Sequence, residues 1–178
     1  MLLNWWRNHR IAASILVILR IYLGFGFLVA GWGKLTSGQF DARGFIANAI
    51  KNPVTGSDGN RVYGIYTTFL ETIALPNVHI INVLVPWGEV LVGLGLLLGC
   101  LTSAAAFFGM LMNFSYLMAG AISQNPIYIL AGFLILTAGA NAGKFGLDFY
   151  ILPLLKELAF KRKNRSINNK IEKKANLI

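Results

Sequence analysis

Two side chains carry charge where the surrounding sequence is otherwise apolar. Arg20 lies in "ILRIYLGFGFLVAGWGKL" (18–35) and Glu89 in "VPWGEVLVGLGLLLG" (85–99). An ionisable group inside a membrane span costs about 2.5 to 3.5 kcal/mol on insertion scales, so each calls for a partner or a polar cavity. The pair offers simple chemistry: a guanidinium donates hydrogen bonds to a carbonyl or an anion, and a carboxylate accepts a proton. These are the candidate catalytic residues. Counted from the start of its apolar run, each is about the tenth residue of a span, in helices of opposite direction, so both fall near mid-depth. This reading predicts an Arg20–Glu89 ion pair, the arginine fork meeting the carboxylate through two bonds.

Other residues gather around that expected centre. At 100° per residue Arg20, Gly24, Phe27, Gly31 and Lys34 form one stripe of the first helix. Lys34 is fourteen residues from Arg20, roughly 21 Å along the axis, which assigns it to the opposite end of the span. Two readings of Lys34 stand: snorkelling to the head groups, which is favoured, or contact with an anionic substrate or the polar insert that follows it. Asn113, Tyr116, Gly120 and Gln124 share a face further on, as do Asn141, Lys144 and Asp148. Hydrogen bonding between helices is the default for such residues, and a line of them can also coordinate a ligand. The expected ligand-binding set is Arg20, Phe27, Trp87, Glu89, Asn113 and Tyr116.

The elements that must position these groups are membrane helices. The chain is 56% hydrophobic and 13% charged with a mean hydropathy of +0.60, which is the composition of a protein whose solvent is lipid. Four segments are long enough to cross about 30 Å of hydrocarbon: 11–33, 80–100, 102–122 and 126 to about 147. "CLT" and "SQNP" separate the last three, which makes these neighbours antiparallel hairpins. The expected fold is all-α, a four-helix transmembrane bundle in a membrane domain of residues 1–155. Glycines such as Gly95 and Gly99, spaced by four, mark close helix packing. The segment "LDFYILPLL", weakened as a span by Gly146 and Pro153, reads as interfacial.

Charge at the ends sets orientation. Arg7 and Arg10 precede the first span, and eight of the sixteen basic residues lie in 156–178, so the positive-inside rule places both termini in the cytoplasm. Residues 156–178 read as a basic tail, a topology signal or an anionic-lipid contact. The polar insert 36–78 then lies outside. It holds two amphipathic pieces, Asp41–Lys51 and Arg61–Leu75, the second lying on the membrane surface or capping the bundle as a lid.

Several chemistries are excluded or disfavoured. The positive charge is concentrated in the tail and no basic groove with interleaved aromatics recurs, so nucleic acid is not a partner. One cysteine, Cys100, forms no internal disulfide, and with His9 and His79 it makes no metal or haem set, so no metal is expected. Phosphate loops, dinucleotide fingerprints and serine elbows are missing.

The ordered elements "RIYLGFGFLVAGWGKL", "PWGEVLVGLGLLLGCLTSAAA" and "AGANAGKFGLD" resemble the DoxX family, including its DoxD-like branch, the membrane subunit of thiosulfate:quinone oxidoreductase. The resemblance spans about residues 16–150. Carried over by position, the family pattern is Arg20, Gly24, Gly31 and Lys34, then Glu89, Gly93, Gly99 and Thr102, then Asn141 and Asp148. It implies a four-helix protein of the bacterial plasma membrane, linked to quinone-related redox chemistry or to protection against oxidative and electrophile stress. In that reading a quinone or similar lipophilic molecule is the ligand, Arg20 and Glu89 the polar centre, and Phe27, Trp87 and Tyr116 its lining. The lone cysteine supplies no sulfur relay, and a partner redox protein or a homo-oligomer would complete the system. Two alternatives stand beside it: a non-enzymatic scaffold that docks a redox partner, and a small-molecule transporter.

Overall fold

The computed structural model describes residues 1–155, 157, 158, 160 and 161. The expected basic tail falls, apart from those last few positions, outside the described residues. A short α1 (Leu2–Asn8) leads into α2 (Arg10–Ser37), and the insert contributes α3 (Arg43–Lys51) and α4 (Gly64–Phe69), the latter continuing as a π-helical turn (Leu70–Ala74). Then come α5 (Val78–Leu98), α6 (Thr102–Met118), α7 (Asn125–Ala138) and a 3₁₀ turn (Gly139–Gly143), with helix again from 148 to 155. Among the described residues strand pairing is limited to the bridge Thr55–Arg61, which closes the "TGSDGN" turn. The protein is all-helical. Three stretches, Arg10–Ser37, Val78–Leu98 and Asn125–Gly143, are long and apolar enough to cross a membrane.

Boundaries depart from the periodicity for physical reasons. The fourth apolar run is α-helical only to Ala138, because Gly139 adopts a positive φ of 57° and the chain tightens into the 3₁₀ turn. α6 has 17 residues and ends before Gly120, whose φ of 87° suits a turn and not a helix. α1 is amphipathic in effect: the Trp6 indole donates to the Leu134 carbonyl and the Arg7 guanidinium to the Thr137 carbonyl, so the terminal segment docks across the end of α7.

The principal contact is between α2 and α5, which run antiparallel with glycines at the crossing. A Cβ added at Gly93 would lie 2.6 Å from the Leu28 backbone nitrogen and 2.9 Å from the Gly24 carbonyl oxygen; one added at Gly31 would lie 2.7 Å from the Val90 nitrogen. These neighbours are backbone, which cannot move aside, so the two helices approach as closely as they do only because side chains are missing there. The seam fixes the register: Gly24 faces Gly93, and Gly31 faces Glu89 and Val90. α6 and α7 close the bundle around a core of Leu16, Leu23, Phe27, Val92, Leu96, Ala106 and Ile135. A second, smaller core of Ala42, Ile46, Ala49, Leu70, Ala74, Val78 and Ala119 joins the insert to the start of α5 and the end of α6. Outward faces carry exposed Ile18, Ile21, Phe25, Val29 and Trp32 on α2, with similar rows on α5, α6 and α7; these apolar faces meet the lipid.

The seam yields a prediction with an internal control. Gly93→Ala is expected to destabilise the detergent-solubilised protein by about 1 to 3 kcal/mol through forced separation of α2 and α5. Gly33→Ala, on the same pair of helices but with nothing within 4 Å of the new methyl, is expected to be neutral. Reversible denaturant titration followed by tryptophan fluorescence distinguishes the two.

Candidate functional site

Glu89 stands on α5 and is 3% exposed. Its partner is Lys34, not Arg20: the Lys34 ammonium donates to both carboxylate oxygens, at 2.7 Å to Oε1 and 2.5 Å to Oε2. The Tyr116 hydroxyl, from α6, donates to Glu89 Oε1 at 3.1 Å. Lys34 retains 28% side-chain exposure and lies 5.6 Å from the centre of the Phe40 ring, a cation–π distance. Phe45, on α3, sets its ring edge-on against Tyr116 with centroids 6.3 Å apart. The result is one buried carboxylate, one partly exposed lysine and one phenol, with two aromatic rings of the insert beside them.

The roof is pinned. Asn82 of α5 accepts from the Ala42 backbone N–H at 2.8 Å and donates to Asp41 Oδ1 at 3.0 Å, while Asp41 Oδ1 also accepts from the Arg43 N–H at the start of α3. The Asn82 amide, and after it the Arg43 N–H, hold the Asp41 carboxyl below the usual carboxylate range. A depressed value means that this latch contributes stability above the ordinary carboxylate pKa and loses it as pH falls through the folded value.

The predicted Arg20–Glu89 pair is therefore overturned, and the seam is the reason. With Gly31 opposite Glu89 and Gly24 opposite Gly93, the residue facing Arg20 is Gly99, ten positions and roughly 15 Å along α5 from Glu89. Equal counting from the span starts misjudged depth because the long insert leaves the α2/α5 register free of any hairpin constraint. Gly99 serves two needs: its φ of 63° ends α5, and a Cβ there would sit 2.5 Å from the Arg20 guanidinium.

Arg20, 2% exposed, is enclosed by the segment after α7. Its Nη1 donates to the Ala142 carbonyl at 2.8 Å and Nη2 to the Phe145 carbonyl at 3.4 Å. Asp148 supplies nearby negative charge and caps α6, accepting from the Leu101 N–H at 2.6 Å and the Thr102 N–H at 2.9 Å. Leu101 is left-handed, φ 49°, so the carboxylate also holds a backbone conformation that leucine disfavours. Asn141 donates to the Trp6 and His9 carbonyls at 2.9 and 3.1 Å. Arg20, Gly99, Thr102, Asn141 and Asp148 thus form one knot at the end of the bundle remote from the insert, and Gly24, Gly31 and Gly93 form the seam between the two ends.

The remaining expected site residues divide. Tyr116 belongs to the Glu89 cluster. Phe27 is 3% exposed and packs in the bundle core beside Tyr128, with centroids 5.8 Å apart. Trp87 is 52% exposed and faces outward, since residues two apart on a helix point to different sides. Asn113 is buried and donates to the Gly109 carbonyl of its own helix at 2.9 Å. Sequence reasoning missed Phe40, Phe45 and Asp41, which lie in the insert and whose approach to α5 is a tertiary fact, and Asn82, the α5 residue that receives them. Among the described residues no group of three or more His, Cys, Asp or Glu side chains is placed to hold a metal ion.

Two predictions follow from the charges. Lys34→Met leaves Glu89 buried without its cation and is expected to cost about 3 to 5 kcal/mol, whereas Lys34→Met with Glu89→Leu costs much less, so a double-mutant cycle reads a large coupling. Asp148→Ala removes the α6 cap and is expected to cost about 1 to 2 kcal/mol, measured by the same denaturant titration.

No curated protein and no solved structure matches the chain. The family model described as DoxX matches residues 15–122, which includes the α2/α5 seam and the whole Lys34–Glu89–Tyr116 cluster and stops short of Asn141 and Asp148. More than half of the sequence is covered, and the chain belongs to the DoxX family, an all-helical membrane protein.

Proposed function

We propose that the Lys34–Glu89–Tyr116 cluster binds a small lipophilic molecule bearing a carbonyl group, of the quinone type, and that the protein serves a membrane oxidoreductase system in a bacterial plasma membrane. α2, α5, α6 and α7 with its 3₁₀ extension act as four spans, both termini cytoplasmic and the insert on the outer side, in keeping with Arg7 and Arg10 beside the first span.

The observation that carries this reading is the uneven exposure of an ion pair. Glu89 is sealed, while the Lys34 side chain stays partly exposed with its ammonium beside the Phe40 ring. An ammonium has three donors, and the carboxylate uses only those turned toward it. A carbonyl oxygen placed at the open side accepts a hydrogen bond from Lys34, and a planar ring lies against Phe40 and Phe45, an apolar slot with few polar groups. The paired charges cancel, so the slot favours a neutral ligand. When bound, a quinone-like ring supplies the electron-accepting centre. Lys34 orients the carbonyl, Glu89 holds Lys34 and accepts or returns a proton, and Tyr116 fixes the carboxylate. Arg20, committed to two backbone carbonyls, has a structural part.

Mass spectrometry of protein extracted gently with its native lipids tests this. A carbonyl-bearing lipophile is expected to co-purify, and its affinity to fall about tenfold in Glu89→Gln, the loss of roughly one charged hydrogen bond. Trp87→Phe, which faces outward, is expected to bind normally. If nothing of that class is carried or bound, or if Glu89→Gln binds as well as the unaltered protein, the reading fails.

A further inference from the structure

The insert has three faces, and only two are accounted for by a lid in water. From Gly64 to Ala74 the side chains of Thr67, Leu70 and Ala74 point inward to the smaller core. Thr68, Glu71 and Thr72 are exposed and polar, and Glu71 lies 3.5 Å from Arg61. Between these faces runs a ridge of Ile65, Phe69 and Ile73, exposed by 92%, 42% and 54%, at four-residue spacing.

The height of this ridge follows from the seam. Because Gly31 faces Glu89 and Val90, the end of α2 at Ser37 lies opposite about residue 83, and the first turns of α5 run on past it. Those turns are flanked by the insert, as the Asn82 bonds to Asp41 and Ala42 and the packing of Val78 on Leu70 and Ala74 require. They are also apolar and outward-facing, with Ile80, Val83 and Leu84 exposed by 52%, 60% and 64%. At the same end α6 finishes after 17 residues, roughly 26 Å, short of about 30 Å of hydrocarbon, and its last neighbour, Ala119, is part of the insert's core.

We infer that the second helix of the insert lies in the bilayer, with the Ile65–Phe69–Ile73 ridge in the acyl-chain region and Thr68, Glu71 and Thr72 toward water. The occupant of the ridge is lipid: the ridge stands at the same end of the bundle as the outward apolar turns of α5 and the short end of α6. A three-sector helix of this kind is the form taken by interfacial helices.

Site-directed fluorescence settles it in liposomes of the full chain. In a Cys100→Ala background, an environment-sensitive dye on Ile65→Cys is expected to emit blue-shifted, to be quenched by lipids brominated in the upper acyl chain, and to resist aqueous iodide. Dye on Thr72→Cys, on the polar face of the same element, and on Ser57→Cys, in the exposed turn, is expected to show the reverse. Phe69→Cys gives the same readout as Ile65→Cys should the latter fold poorly. Iodide quenching at 65 or 69 equal to that at 57, with no effect of brominated lipid, overturns the inference.

Discussion

Backbone contact between α2 and α5 is the constraint on which the rest depends. Where Gly24, Gly31 and Gly93 meet, a single methyl would strike main-chain atoms on the facing helix, and main chain in a helix has nowhere to go. The seam therefore does more than bring two helices together. It permits one register, and that register decides which polar group each charged residue can reach. Lys34 is carried alongside Glu89, while Arg20 is carried to Gly99 and the turn after α7. A shift of one helical turn would leave a lysine, a glutamate and an arginine facing hydrocarbon or one another wrongly. In lipid, with no water to rescue them, the charges reinforce the register that the glycines select.

The two ends of the seam solve the problem of buried charge differently, and that difference separates structure from chemistry. Arg20 is closed in by backbone carbonyls of 142 and 145, with Asp148 near it but engaged by the N–H groups of Leu101 and Thr102. Four separate segments, from α2, the α5–α6 turn, the chain after α7 and, through Asn141, the amino-terminal segment, are tied at one place. Such a knot favours a fixed bundle end. At the other end the carboxylate is equally buried, but its cation is left partly open, and the neighbours are side chains: a phenol and two phenyl rings. Side chains can adjust to a ligand more readily than backbone, which is why the proposed ligand site is placed at the insert end.

Much of this was legible from the residues, and what was not has a definite cause. The apolar runs showed the helices, the 3.6-residue period put Arg20, Gly24, Phe27, Gly31 and Lys34 on one face, and four of those five are buried. The cost of intramembrane charge singled out Arg20 and Glu89 correctly as groups needing partners. Partner choice failed because it needs the relative height of two helices. A short turn fixes that height between α5 and α6, but 40 residues of insert leave it open between α2 and α5. The clue lay in the glycines, since matching Gly24 and Gly31 against Gly93 and the backbone at Glu89 sets Lys34, not Arg20, beside the carboxylate. Phe40 and Phe45 were beyond reach for a related reason: a roof formed by a separately packed insert leaves only an amphipathic pattern in the sequence, and the part of Asn82 on α5 shows only once that insert is docked.

The insert and the seam are linked through Asn82 and Pro86. Proline at 86 has no N–H, so the Asn82 carbonyl lacks the donor that an unbroken helix would give it, at the level where α2 ends. Just there the Asn82 side chain turns to the insert and grips Asp41 and Ala42. The same four-residue step contains the Pro86 carbonyl that crowds Gly31. One stretch of α5 thus sets the helix crossing, places Glu89 and anchors the segment whose Phe45 rests on Tyr116. Movement of the insert relative to α5 cannot leave the cluster untouched, because Tyr116 contacts both the roof and the carboxylate. The insert thus reaches Glu89 by two routes, through Phe45 on Tyr116 and through Phe40 on Lys34, and both end on the same carboxylate.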